Sequence, residues 1–274
     1  MVETSEKLLN GKNVLVTRPQ EQSFELASKL IAEGANIYLL PTIKITLPED
    51  YSEIDAALED LSKYDWIVFT STNAVRYFVE RLEYLRLFKN ILGGTKIASV
   101  GPATALMLEK YGIEVHFVAA EHTAEVLAES LPDVSGKNVL IPTTDINKGK
   151  LRQILSGRNA QVCEIAFYNT RKNEIADDYI LQTFTAGIDI ITFTSSSSVE
   201  ALIELLRPLQ LNINKHLIAC IGPHTADTAR GHGLTVDIIA KPFTIDGLIA
   251  SMLEYFSNHT NKRNTPEFRN ENTV

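Results

Sequence analysis

The chain has 274 residues, 45% of them hydrophobic and 22% charged, with 14 glycines and 10 prolines. That profile excludes collagen-like, low-complexity and mostly disordered chains, and leaves one large domain or two of about 120 residues each. A net charge of −8, from 26 basic and 34 acidic residues, argues against a nucleic-acid binder. The longest apolar stretches fall far short of the ~20 residues a membrane span needs. The polar, acidic opening Met1–Lys7 gives no sign of a signal peptide, so a cytoplasmic location and no membrane partner are expected. Cys163 and Cys220 each stand in an apolar, strand-like setting and read as buried thiols rather than a disulfide or a metal site.

Taken in chain order, Val14–Thr17 reads as a short strand. A helix follows with Phe24, Ala27, Leu30 and Ile31 on one face, closing at Gly34. Residues 35–40 form a second strand. Trp66–Phe69 is a third, followed by a helix with Val75, Phe78, Val79 and Leu82 on one side. Lys96–Val100 leads into a helix running to Tyr111, then come a strand at Ile113–Val118 and a helix from Thr123. The polar, aperiodic segment from Ser257 onward is expected to be disordered.

The chain repeats itself. Gly11-Lys-Asn-Val-Leu15 recurs as Gly136-Lys-Asn-Val-Leu140, and Ile67-Val-Phe-Thr-Ser71 is answered by Ile191-Thr-Phe-Thr-Ser195. Gly101-Pro-Ala-Thr-Ala105 is answered by Gly222-Pro-His-Thr-Ala226, and Tyr111-Gly-Ile-Glu-Val115 by His232-Gly-Leu-Thr-Val236. Four blocks in one order imply two homologous halves, roughly 11–131 and 136–253. The second half keeps the helix face of the first with Val199, Leu202, Ile203 and Leu206. Short strands alternating with helices predict an α/β protein of two similar flavodoxin-like, doubly wound parallel-sheet units.

In such sheets ligands sit beyond the carboxyl ends of the strands. Thr70, Ser71, Thr72 and Asn73 follow the third strand, and Ser195, Ser196 and Ser197 follow its counterpart. Their side chains can cap the next helix, whose free N–H groups attract an anion. Capping alone is the plainer explanation of one such run, and its doubling points to binding. Gly101, Pro102 and Thr104, like Gly222, Pro223 and Thr225, repeat the arrangement at the next strand end, where Pro at the first helical position sacrifices no useful N–H. A tight strand-to-helix turn asks for the same residues. Arg18, in Thr17-Arg18-Pro19, offers a guanidinium for a carboxylate, although an Arg beside Pro serves equally as a solvated loop charge. No Gly-x-Gly-x-x-Gly follows a strand, and there is no phosphate loop or nucleophile elbow. The six histidines (116, 122, 216, 224, 232, 259) show no metal spacing. Composition and spacing alone thus describe a two-lobed protein that binds an anionic ligand.

Seven blocks together carry a resemblance. Val14-Leu-Val-Thr-Arg-Pro19, Leu39-Leu-Pro41, Phe69-Thr-Ser-Thr-Asn-Ala-Val75, Val100-Gly-Pro-Ala-Thr-Ala105, Phe167-Tyr-Asn-Thr-Arg171, Phe193-Thr-Ser-Ser196 and Ile221-Gly-Pro-His-Thr-Ala226 resemble the uroporphyrinogen-III synthases, collinearly from about Gly11 to Phe256. The resemblance implies a lyase of tetrapyrrole (heme) biosynthesis. It would cyclise hydroxymethylbilane, a linear tetrapyrrole with eight carboxylates, to uroporphyrinogen III, with loss of water and inversion of ring D. It would need no metal or organic cofactor and act as a monomer. A non-catalytic, two-lobed binding or regulatory protein for an anionic ligand is the alternative on the same fold.

The resemblance also implies that the chain crosses between lobes twice. One domain would take 1–37 plus 172–260 and the other 43–166, with 38–42 and 167–171 as a two-stranded β hinge and 261–274 as a disordered tail. Tyr168 matches the family's cleft tyrosine and is the candidate catalytic residue, with a packing role as the plainer option. After Val139-Leu-Ile-Pro142 many members have an Arg or a Gly-rich turn. Here Thr143-Thr-Asp145 is expected as a loop, with Lys148, Lys150 and Arg152 either substituting for that Arg or forming a solvated helix face.

Overall fold

A computed structural model of the chain describes residues 7–87, 93–120, 123–146 and 149–261. The strands are β1 (Asn13–Val16), β2 (Asn36–Leu39), β3 (Ile43–Thr46), β4 (Trp66–Phe69), β5 (Lys96–Ser99) and β6 (Phe117–Val118), then β7 (Asn138–Thr144), β8 (Gln161–Lys172), β9 (Ile190–Phe193), β10 (Leu217–Cys220) and β11 (Ile238–Ile239). The helices are α1 (Gln20–Ala32), α2 (Ser52–Glu59), α3 (Thr72–Tyr84), α4 (Pro102–Lys110) and α5 (Ala124–Ser130), then α6 (Lys150–Gly157), α7 (Asp177–Thr185), α8 (Ser196–Leu206), α9 (Pro223–Gly231) and α10 (Ile245–Asn261). They fall into two compact units, Met1–Lys44 with Lys172–Val274, and Ile45–Arg171.

The first unit holds a sheet of order β11-β10-β9-β1-β2, parallel throughout. In chain order within the unit this is the 2-1-3-4-5 arrangement of flavodoxin-like folds. The second holds the order β3-β8-β7-β4-β5-β6, with β8-β7-β4-β5-β6 parallel. Counted from β7, those five strands have the same 2-1-3-4-5 order. Apart from β3, which adds an edge to the second sheet, each sequence half therefore gives its first two strands to one unit and its last three to the other.

Burial explains why these strands form where they do. All four residues of β4 and of β9 are buried, as a sheet covered on both faces by helices requires. In the second unit Phe69, Phe78, Val79 and Leu82 pack with Ile165 and Phe167, and the opposite face packs Val68, Ala98 and Leu127. In the first, Leu15, Phe193, Val199 and Leu202 fill one face, and Val14, Val16, Leu26 and Met252 fill the other. No helix among the described residues is long and apolar enough to cross a membrane.

Four expectations change. α1 buries Ser23, Leu26 and Leu30, while Phe24 and Ile31 are exposed, so the apolar count misplaced its buried face by one position. The strand expected at Ile113–Val118 is only the two residues of β6. Thr143 and Thr144 form no loop: β7 runs through both, and both are buried. α10 carries helix through Ser257 to Asn261, where Tyr255 stacks on His259 (4.1 Å between ring centres), so the tail does not begin at Ser257. Of the tail expected at 261–274, Asn261 is the last residue of α10, and 262–274 lie outside the described residues, as do His122 and Lys148.

Candidate functional site

In the second unit, β4 and β5 are parallel neighbours, so the helices that follow them start from the same end of the sheet. Thr70 leads out of β4 to Ser71, the N-cap of α3, whose hydroxyl accepts from the Ala74 N–H at 3.1 Å. Thr72 and Asn73 form the half-buried first turn of α3. Gly101 is the N-cap of α4 with Pro102 in its first turn, and Thr104 is buried there.

The first unit repeats this construction. Ser195 caps α8 and accepts from the Ser198 N–H at 3.2 Å, and its hydroxyl lies 3.1 Å from that of Ser197. Ser196 accepts from the Thr228 hydroxyl of α9 at 2.8 Å. Gly222 begins α9 ahead of Pro223, and Thr225 is buried. Gly222 is not demanded by backbone conformation: its φ of −175° is extended backbone, and a Cβ would meet the Phe243 ring at an ordinary 3.6 Å. Gly101 and Gly222 have no side chain to cap with, so the first N–H groups of α4 and α9 receive no side-chain acceptor there.

Tyr168 lies near the end of β8, in register with Thr144 of β7 across an irregularity. It is buried, and its hydroxyl is 3.2 Å from the Ser71 hydroxyl. Burial pushes the phenol pKa up, and the bond to Ser71 offsets part of that. The phenol therefore stays protonated at neutral pH. The Tyr77 ring stacks on it, 5.2 Å away and tilted by 28°. The sequence signals this neighbour only weakly, since Tyr77 stands beside the Val75, Phe78, Val79 and Leu82 stripe rather than on it.

The end of β7 has another role than the expected loop. Asp145 accepts from the Thr170 N–H at 3.0 Å and from the Thr144 hydroxyl at 3.1 Å, and pairs with Arg171. Despite some desolvation, these contacts hold its carboxyl below the usual range. They tie β7 to the end of β8. Lys150 pairs with Glu125 and Arg152 is exposed, as on a solvated helix face. Arg18, beyond β1, is half-buried rather than a solvated loop charge. Among the described residues no group of His, Cys, Asp or Glu gathers as a metal-holding cluster, and both cysteines are free.

Two flavodoxin-like units, each with paired helix N-termini beyond adjacent strands, define a class of two-unit α/β proteins suited to an anionic ligand. A family model describing uroporphyrinogen-III synthase HemD matches residues 25–250. The chain belongs to the uroporphyrinogen-III synthase family. It is 30% identical over 259 residues to the uroporphyrinogen-III synthase of Synechococcus elongatus, covering 92% of this chain and 98% of that one. It is 31% identical to the porphyrin biosynthesis protein HemD of Ruminiclostridium josui over 90% of its own length and 49% of that longer protein. Among solved structures, a Thermus thermophilus uroporphyrinogen III synthase superposes with a TM-score of 0.65 at 20% identity, over 92% of this chain and all of that one. The Helicobacter pylori enzyme does so with a TM-score of 0.55 at 17% identity, over 89% and 99%. These two establish a shared fold.

Proposed function

We propose that the chain is a cofactor-independent lyase that converts hydroxymethylbilane to uroporphyrinogen III. Overall, the C–O bond of the hydroxymethyl group breaks and its hydroxyl leaves with one proton as water. A C–C bond forms from that methylene carbon to ring D at its substituted carbon. The bond from that carbon to the methylene of ring C then breaks and re-forms at ring D's free α-carbon, which gives up the proton, so ring D ends inverted. The observation that carries this reading is the doubled set of helix N-termini at strand ends, lying inside a family match to residues 25–250. Eight carboxylates need many donors; a net charge of −8 opposes such a substrate, but neutral backbone N–H groups at helix N-termini bind anions locally even in an acidic protein.

Within this reading Tyr168 assists departure of the hydroxyl. Ser71 already accepts from the Ala74 N–H, so its own proton is free for the phenol oxygen. The phenol proton is then left for the substrate. Loss of water from a hydroxymethylpyrrole is intrinsically easy, so the main task is geometric: holding the chain of four rings so that ring D presents its substituted carbon. The remaining hydroxyls, Thr70, Thr72, Ser195, Ser196, Ser197, Thr104 and Thr225, with Asn73, act in binding. We read the protein as a monomer in the cytoplasm. The test is incubation with enzymatically generated hydroxymethylbilane, followed by oxidation and separation of isomers. Uroporphyrin III is expected. Uroporphyrin I alone would overturn the reading and leave a binding protein.

A further inference from the structure

Next to Arg18 the first unit holds a pocket of about 410 Å³, lined on its apolar side by Leu39, Pro41, Ile175 and Tyr179. The guanidinium is in an unfavourable state there. Its Nε and Nη1 are closed to solvent and find no acceptor among the described residues, while Nη2 donates to the Gln22 side chain at 3.3 Å. Burial pulls its pKa below the ordinary arginine value, and the Glu25 carboxylate offsets only part of this. A cation held from water with unmet donors raises the energy of the free protein. Residues that cost stability in this way cluster where a ligand relieves them. Glu174 lines the same pocket, so an anionic group is favoured only on the Arg18 side.

We propose that this pocket is a subsite for one carboxylate arm of the substrate, in which Arg18 turns its unmet donors onto the carboxylate and Leu39, Pro41, Ile175 and Tyr179 wall the pyrrole that carries it. The proposal rests on the synthase reading for its substrate and adds a charged anchor to the helix termini. Tyr179 is already fixed, since its hydroxyl donates to the Leu39 carbonyl at 3.0 Å. Its ring is thus a preformed wall.

The test compares wild type, Arg18→Met and Arg18→Lys in three measurements: thermal midpoint without ligand, steady-state kinetics on hydroxymethylbilane, and calorimetric titration with a single pyrrole bearing acetate and propionate arms. Arg18→Met keeps the apolar stem and removes the stranded charge, so its midpoint should rise. Its KM should rise about 10- to 100-fold, the size expected for a lost charge-assisted hydrogen bond. Its kcat should change little, and its heat of pyrrole binding should vanish. Arg18→Lys should recover part of the KM. A lower midpoint for Arg18→Met, or KM and pyrrole binding equal to wild type, overturns the subsite. If wild type forms no isomer III, the synthase reading fails, and the pyrrole titration then decides the subsite by itself.

Discussion

The Tyr168 hydroxyl has a hydrogen-bonding partner, a stacked ring and a buried setting, and each constrains what it can do. Held by Ser71 and Tyr77, the phenol keeps one orientation, and burial keeps it protonated. Tyr168→Phe removes only the O–H. We expect kcat to fall about 10- to 100-fold with KM close to wild type, the signature of a group acting in the transition state. A fully active variant would make the phenol structural. A second residue ties stability to pH. His216 is buried against Phe184, its Nδ1 lies 2.6 Å from the Ile188 carbonyl, and its Nε2 has no partner among the described residues. Burial lowers its pKa, with Lys215 acting in the same direction and the Ile188 bond and Asp189 opposing. The unfolded chain therefore takes up a proton at this site before the native one does. Its contribution is complete above the unfolded value of about 6.5 and is lost as pH falls below it. Between pH 7.5 and 5.5 the urea midpoint of wild type should drop more than that of His216→Leu. Equal drops would remove His216 as the cause.

At the scale of elements, the caps of α3 and α8 serve both folding and binding. Ser195→Ala removes the acceptor for the Ser198 N–H and should cost roughly 1 kcal/mol of stability. If that helix terminus also meets carboxylates in ground and transition states alike, KM should rise more than kcat falls. Thermal midpoint and kinetics measured together separate the two effects. An unchanged KM would leave Ser195 a cap and nothing more. The start of α10 has a purely steric determinant. A Cβ on Gly247 would lie 1.8 Å from the Pro242 carbonyl oxygen, so the backbone itself would have to shift. Gly247→Ala should therefore destabilise by roughly 1–3 kcal/mol or more, as overpacking does, and loosen a helix whose Leu248 and Met252 lie in the core. A variant as stable as wild type would show that this turn can open.

For the whole molecule, the exchange of strands between sequence halves makes a prediction about autonomy. Residues 45–171 are contiguous and contain β4 to β7 and nearly all of β8, together with both faces of their own core. Expressed alone, this segment should fold cooperatively by circular dichroism and urea titration. The repeat-defined segment 11–131 should not, because β1 would lack β9, and β4 would lack β7. Equal cooperativity of the two segments would contradict this account.

The sequence by itself determined the local features. Apolar runs such as Trp66–Phe69 and the Val75, Phe78, Val79, Leu82 stripe fix strand and helix because their periodicity is a property of neighbouring residues. The Ser71 and Ser195 caps, the repeat and the strand-end hydroxyls were legible for the same reason. What the tertiary structure decided is non-local. Nothing in the spacing shows that Tyr77 stacks on Tyr168, that Asp145 ties β7 to β8, or that Asn173 and Tyr179 border the pocket beside Arg18 more than 150 positions away. Phe24 was misread on α1 because apolar character alone does not say which side of a helix meets the sheet. Homologous halves can close two identical strand orders either within each half or by exchange. Periodicity and spacing do not distinguish the two, and exchange was implied only through the family resemblance; in the structure β1 pairs with β9 and β4 with β7, hydrogen bonds that join segments the sequence keeps far apart.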